Sequence, residues 1–131
     1  MARSVYVTGT DRGDGRQVVE LGVMELLTRR VDRVAVFRPL VHDGPDRMYE
    51  LFRERYGLSQ PPDSVFGMHY ARASALQAEQ GLDELVSRLV EDYQRLAAAY
   101  DAVLVIGTDF AHTQLPDELG FNARLANEFG A

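Results

Sequence analysis

From Val7 to Gln17 the chain reads Val-Thr-Gly-Thr-Asp-Arg-Gly-Asp-Gly-Arg-Gln. A short apolar run (Val5, Tyr6, Val7) leads into glycines at 9, 13 and 15, and an amphipathic helix follows. That order suits the holding of a phosphate, because glycine lets the backbone come close and the N–H groups at a helix start point at the anion. In nucleotide-hydrolysing loops of this layout, a lysine and a Ser/Thr come next and reach the terminal phosphates and Mg²⁺. Arg16 and Gln17 stand in those places here, and no lysine elsewhere can substitute, since all 14 Lys/Arg positions are arginine. Gly9, Thr10, Gly13, Gly15, Arg16 and Gln17 are thus candidate contacts of a phosphate or similar anion, which Arg16 could grip bidentately. Asp11 and Asp14 pull the other way, since carboxylates in the same loop repel an anion. The competing reading is a turn that only joins strand to helix.

Asp109 and His112 could form an acid–base pair beyond an apolar strand, where α/β sheets place their sites. No nucleophile stands in a diagnostic relation to them, and a polar loop holds such residues by chance. His42 and Asp43 offer the same temptation in another loop. His69, beside Tyr70, reads as a packing residue at a strand or helix start. Histidines at 42, 69 and 112 have no metal-ligand spacing, so no metal site is expected. Phe110 and Phe121 read as core or interface residues.

The elements that must position these residues follow from periodicity. Residues 4–8, 33–38 and 102–107 read as buried parallel strands, the last carrying Val103-Leu104-Val105-Ile106. A helix over 15–30 is expected to bury Val19, Val23, Leu26 and Leu27. Others are expected over 45–56, with Pro45 in the first turn, over 71–80, over 82–100 and over 122–129 before Gly130. The stripe of Leu82, Leu85, Val86, Leu89, Val90, Tyr93 and Leu96 makes the 82–100 helix the clearest, and Asp83 and Glu84 suit its start. Residues 57–63, with Pro61-Pro62, read as a loop. This β-α-β order implies an α/β fold with a parallel sheet flanked by helices.

Composition narrows the classes. At 131 residues the chain makes one domain at most, and 46% hydrophobic content is ordinary for a globular protein. A formal charge of −6 argues against non-specific nucleic-acid binding, and Arg29, Arg30 and Arg33 fall where cations suit a helix end. No apolar run approaches the ~20 residues that span a bilayer, and no secretory leader opens the sequence. With no cysteine there is no disulfide framework, thiolate nucleophile or Cys-based zinc site. A cytoplasmic protein fits these features. Gly130-Ala131 resembles a helix exit before a further strand, and three strands make a small sheet. The chain therefore reads as a piece of something longer, with an open sheet edge that could pair with another copy.

Val7-Thr8-Gly9-Thr10-Asp11 with its glycine-rich turn is similar to the opening of dethiobiotin synthetase-like P-loop proteins. Phe37-Arg38-Pro39-Leu40 resembles their aromatic-Lys-Pro-hydrophobic element, and Leu104-Val105-Ile106-Gly107 their Val-Glu-Gly strand. The chain more closely resembles, over nearly its whole length, the N-terminal domain of long-form bacterial phosphate acetyltransferases. The resemblance implies a degenerate P-loop NTPase-like fold and a regulatory or oligomerising role. Acetyl transfer between coenzyme A and phosphate would lie in a separate C-terminal domain absent from residues 1–131. It also adds Arg38 to the vestigial anion site. Every departure falls on a chemical position: Arg16, Gln17 and Arg38 replace two lysines and a hydroxyl residue, and Ile106 replaces a metal-binding glutamate. A guanidinium does not replace an ammonium simply, and isoleucine cannot hold Mg²⁺.

Three functions are therefore weighed. The first is a non-catalytic assembly or effector-sensing domain of a phosphate acetyltransferase, with no resident cofactor and a phosphate-containing effector as candidate ligand. The second is a truncated ATP-dependent ligase of the dethiobiotin synthetase type. The third is a stand-alone interaction module using the sheet edge and the 109–120 loop.

Overall fold

The β-branched runs form a parallel sheet in the computed structural model, which describes residues 3–8, 15–43, 47–108 and 118–131. β1 (Arg3–Val7) leads to α1 (Gly15–Arg30), β2 (Val34–Val41), α2 (Arg47–Tyr56), β3 (Phe66–His69), α3 (Tyr70–Gln80), α4 (Leu82–Ala97), β4 (Ala102–Ile106) and α5 (Glu118–Phe129). The strands lie in the order β1-β4-β2-β3, all parallel. α1 and α2 cover one face, with Met24, Tyr49 and Phe52 packed on Val36, Leu104 and Ile106. α3, α4 and α5 cover the other, where Leu89, Tyr93 and Leu125 meet Phe37, Val103 and Val105. Phe129 stacks on Tyr93 at 4.3 Å between ring centroids and fixes α5 to α4. Phe121 is core, 4% exposed.

Several expectations need correction. β2 runs on from the expected 33–38 to Val41, through Pro39. Arg38, Leu40 and Val41 pair with β3, while pairing with β4 ends at Phe37. Pro39, which has no N–H, lies between Arg38 and Leu40, where the pairing with β4 has already stopped. β3 was not anticipated, because Phe-Gly-Met-His is short and has no β-branched residue. Its glycine is required: a Cβ on Gly67 would lie 2.7 Å from both Leu89 Cδ2 and the Pro39 carbonyl. The α1 stripe is also different. Val19 and Leu26 are 53% and 58% exposed, Val23 and Leu27 are partly buried, and Met24 and Glu20 are the buried residues. The rest of the α4 stripe holds, although the helix ends at Ala97 rather than residue 100, and α5 starts earlier than expected. Pro45 lies outside the described residues.

Between α2 and β3, the buried side chain of Gln60 stands in for a strand residue. Its Oε1 accepts from the Val36 N–H and its Nε2 donates to the Val36 carbonyl, both at 2.9 Å. β2 is thereby paired one step before β3 begins, and Tyr49 fixes the same segment by donating to the Gln60 carbonyl at 2.6 Å.

Candidate functional site

Parallel strands all end on one side, so the loops after β1, β2 and β4 converge there. The carboxyl ends of β1 and β4 are held by one side chain on α5. Asn122, fully buried, accepts through Oδ1 from the Tyr6 hydroxyl at 2.6 Å and from the Thr108 N–H at 3.0 Å. Its Nδ2 donates to Thr108 Oγ1 at 2.8 Å. Gly107 leaves room for this, since a Cβ there would lie 2.9 Å from Asn122 Oδ1 and from Thr8.

Arg16 joins α1 to this platform. Its guanidinium lies 3.1 Å from Glu20 Oε1, one helical turn along, and donates to the Thr108 carbonyl at 3.2 Å. Glu20 is almost wholly buried, and a buried carboxylate is tolerated when a guanidinium sits against it. Arg16 is thus fixed by two contacts rather than left to swing as a free lysine would.

Beside it opens a cavity of about 590 Å³, lined by Arg16, Gln17, Glu20 and Arg38 and, from α2, by Arg47 and Arg53. Ile106, Val41, Met48 and Tyr49 supply apolar wall, and Asp43 and Glu50 add carboxylates. Among the described residues, the guanidinium groups of Arg16, Arg38, Arg47 and Arg53 are set against these two and Glu20. Guanidinium groups around a partly apolar hollow suit a phosphate or carboxylate ligand. Burial raises the Tyr49 hydroxyl pKa above its ordinary value against the opposing charge of Arg53, so the hydroxyl keeps the proton it donates to the Gln60 carbonyl.

The structure brings together Arg16, Gln17 and Arg38, with Gly15 at the start of α1. Gly9, Thr10 and Gly13 lie outside the described residues, as do Asp11, Asp14, Asp109, Phe110 and His112. His42 stacks on Tyr70 at 4.3 Å, and His69 Nε2 lies 3.7 Å from Asp43 Oδ1 on the cavity's outer lip. Glu20, Arg47 and Arg53 were not singled out from sequence. The Arg16/Glu20 spacing of four was the one usable signal, whereas Arg47 and Arg53 belong to this cavity only through the path of α2. Among the described residues no group of three His, Cys, Asp or Glu could hold a metal. Ile106 offers no donor and Glu20 is engaged by Arg16, so these residues do not fit a resident Mg²⁺.

A family model described as an AAA domain matches residues 3–131. The chain is 27% identical over 130 residues to a phosphate acetyltransferase of Synechocystis sp., with 96% of the chain covered. It is 31% identical over 134 residues to one from Nitratidesulfovibrio vulgaris, with 99% covered. A Pseudomonas aeruginosa phosphate acetyltransferase is 31% identical over 107 residues, 78% of the chain. The chain spans 19% of the length of each of the first two relatives and 15% of the third, a share consistent with one N-terminal domain.

Proposed function

We propose that this chain, which belongs to the AAA-domain family, is a non-catalytic regulatory and assembly domain at the N-terminus of a phosphate acetyltransferase. The parent would transfer acetyl between acetyl-CoA and phosphate in a C-terminal domain, in the cytoplasm. The domain itself would bind a phosphate-bearing effector. The observation that carries this is the cavity where Arg16 and Arg38 meet Arg47 and Arg53 at the carboxyl ends of the strands. Guanidinium groups can hold an anion without turning it over, and the position suited to a metal-binding glutamate is the aliphatic Ile106. The relatives' names support the parentage. Among the described residues no helix is long and apolar enough to cross a membrane, which is compatible with the compartment.

Calorimetric titration of the folded chain with inorganic phosphate and with Mg-ATP tests the reading. Phosphate binding that weakens about tenfold or more in Arg16→Ala is the expected outcome, being the loss of one charge-assisted contact. Silence from both ligands in a folded sample would remove the effector role. Mg²⁺-dependent ATP hydrolysis lost in Arg16→Ala would restore the ligase reading instead.

A further inference from the structure

The carboxylates that line the cavity are poorly placed for a divalent cation. Among the described residues these are Glu20, Asp43 and Glu50. Glu20 is 2% exposed and lies 3.1 Å from the Arg16 guanidinium. The Asp43 side chain stands on the outer lip, 96% exposed, with His69 3.7 Å away, and Glu50 is exposed on α2. The inner wall, where β4 ends, is the aliphatic side chain of Ile106. Thr108, two residues on, gives its carbonyl to Arg16 and its hydroxyl to Asn122. Oxygen atoms that could enter a Mg²⁺ shell are thus engaged within the protein or stand at the rim.

Guanidinium groups take the opposite part. Arg16 comes from α1, Arg38 from β2, and Arg47 and Arg53 from α2. Each brings charge and planar N–H donors directly to a phosphoryl oxygen, which is the service a bound cation gives in metal-dependent sites. The two arrangements exclude each other. Mg²⁺ keeps an octahedral shell and gives up its waters reluctantly. A complexed ligand would therefore set a hydrated dication among arginines and against Val41, Met48 and Ile106. A bare anion meets neither obstacle.

We propose that this cavity takes its effector without Mg²⁺, and that the effector is a phosphomonoester, one phosphoryl group on a partly apolar body. The inference rests on the effector reading above and narrows it. Adjacent phosphates chelate Mg²⁺ together, so di- and triphosphates bring the cation with them, whereas a single phosphoryl group holds it weakly. A volume of about 590 Å³ is that of a small-molecule site and exceeds what one phosphoryl group fills. Val41, Met48 and Tyr49 offer surface to the remainder of the ligand. Mg²⁺ then acts as a competitor, withdrawing chelating anions from the pool that the domain can bind.

The test titrates phenyl phosphate, pyrophosphate and inorganic phosphate calorimetrically into the folded 131-residue chain. Each is run in MgCl2 and in NaCl of the same ionic strength, because salt by itself screens the arginines. Phenyl phosphate is expected to bind equally in the two salts, and pyrophosphate at least about tenfold more weakly in excess MgCl2. Arg53→Ala, at an exposed position of α2, is expected to weaken both by about tenfold. Pyrophosphate held more tightly in MgCl2 overturns the exclusion of the metal and leaves the effector role standing. So does a Tm rise with MgCl2 alone that NaCl does not give and EDTA reverses. Phenyl phosphate that fails to bind while inorganic phosphate binds overturns the phosphomonoester assignment alone. Binding indifferent to both Arg53→Ala and Arg38→Gln puts the ligand outside this cavity and overturns the proposal. Silence from all three probes in a folded sample overturns it together with the effector role.

Discussion

Asn122 satisfies three groups with one amide, and each lies on a different segment from its own helix turn. Asn122→Leu removes the amide that the Tyr6 hydroxyl and both Thr108 groups bond to. Its expected cost is about 2–4 kcal/mol in chemical denaturation, against about 1 kcal/mol for Tyr6→Phe, which removes one bond. A second expectation concerns Asp92 on α4. Burial lifts its carboxyl pKa above the ordinary 3.8, while Arg95 opposes the shift. The folded protein therefore holds that proton more tightly than the unfolded chain does. This contribution is fully present below pH 3.8 and is lost as pH rises through the folded value. Asp92→Asn should accordingly melt higher than the parent chain at neutral pH, with the gap closing in acid. Arg16, just after the glycine-rich run, was legible from sequence because motif spacing is local. The partners of Asn122 were not, since Tyr6 is 116 residues away along the chain.

Strands and helices show the same division. Where apolar residues run continuously, as in β4, or recur at helical spacing, as in α4, the pattern alone places the element. β3 escapes because its existence depends on neighbours: β2 to pair with and α4 close enough to exclude any side chain at Gly67. Gly67→Ala should therefore destabilise the protein by about 1–3 kcal/mol, because a backbone carbonyl cannot yield as a side chain can. Gln60 makes a sharper case. Gln60→Ala would leave the Val36 N–H and carbonyl unsatisfied in a buried strand, an expected loss of about 2–4 kcal/mol by urea titration. Gln60→Glu should rescue little, since it keeps the acceptor but loses the donor and brings in a charge. The α1 stripe departs from its periodicity for a related reason. Periodicity reports which face is apolar, not whether anything is there to cover it.

For the molecule entire, the alternation of strands and helices was enough to give a parallel α/β sheet, and the strand order was not, because order is decided by pairings remote in sequence. The site inherits that limit. Its loop could be read locally, but the cavity exists only where α2 sets Arg47 and Arg53 beside the ends of β2 and β4. The pairing of β1 with β4 has one more consequence, in time rather than space. Arg3 aligns with Ala102, so the first strand made must wait for nearly the last one described. At a translation speed of about 5–20 residues per second, β1 spends on the order of 5–20 s without its neighbour while the chain emerges. During that interval the ribosome-bound chain can assemble β2, α2 and β3 but not the edge that carries β1. Of the described segments, β1 and the start of α1 with Arg16 are consequently among the earliest synthesised, and β1 is among the last to gain its neighbour.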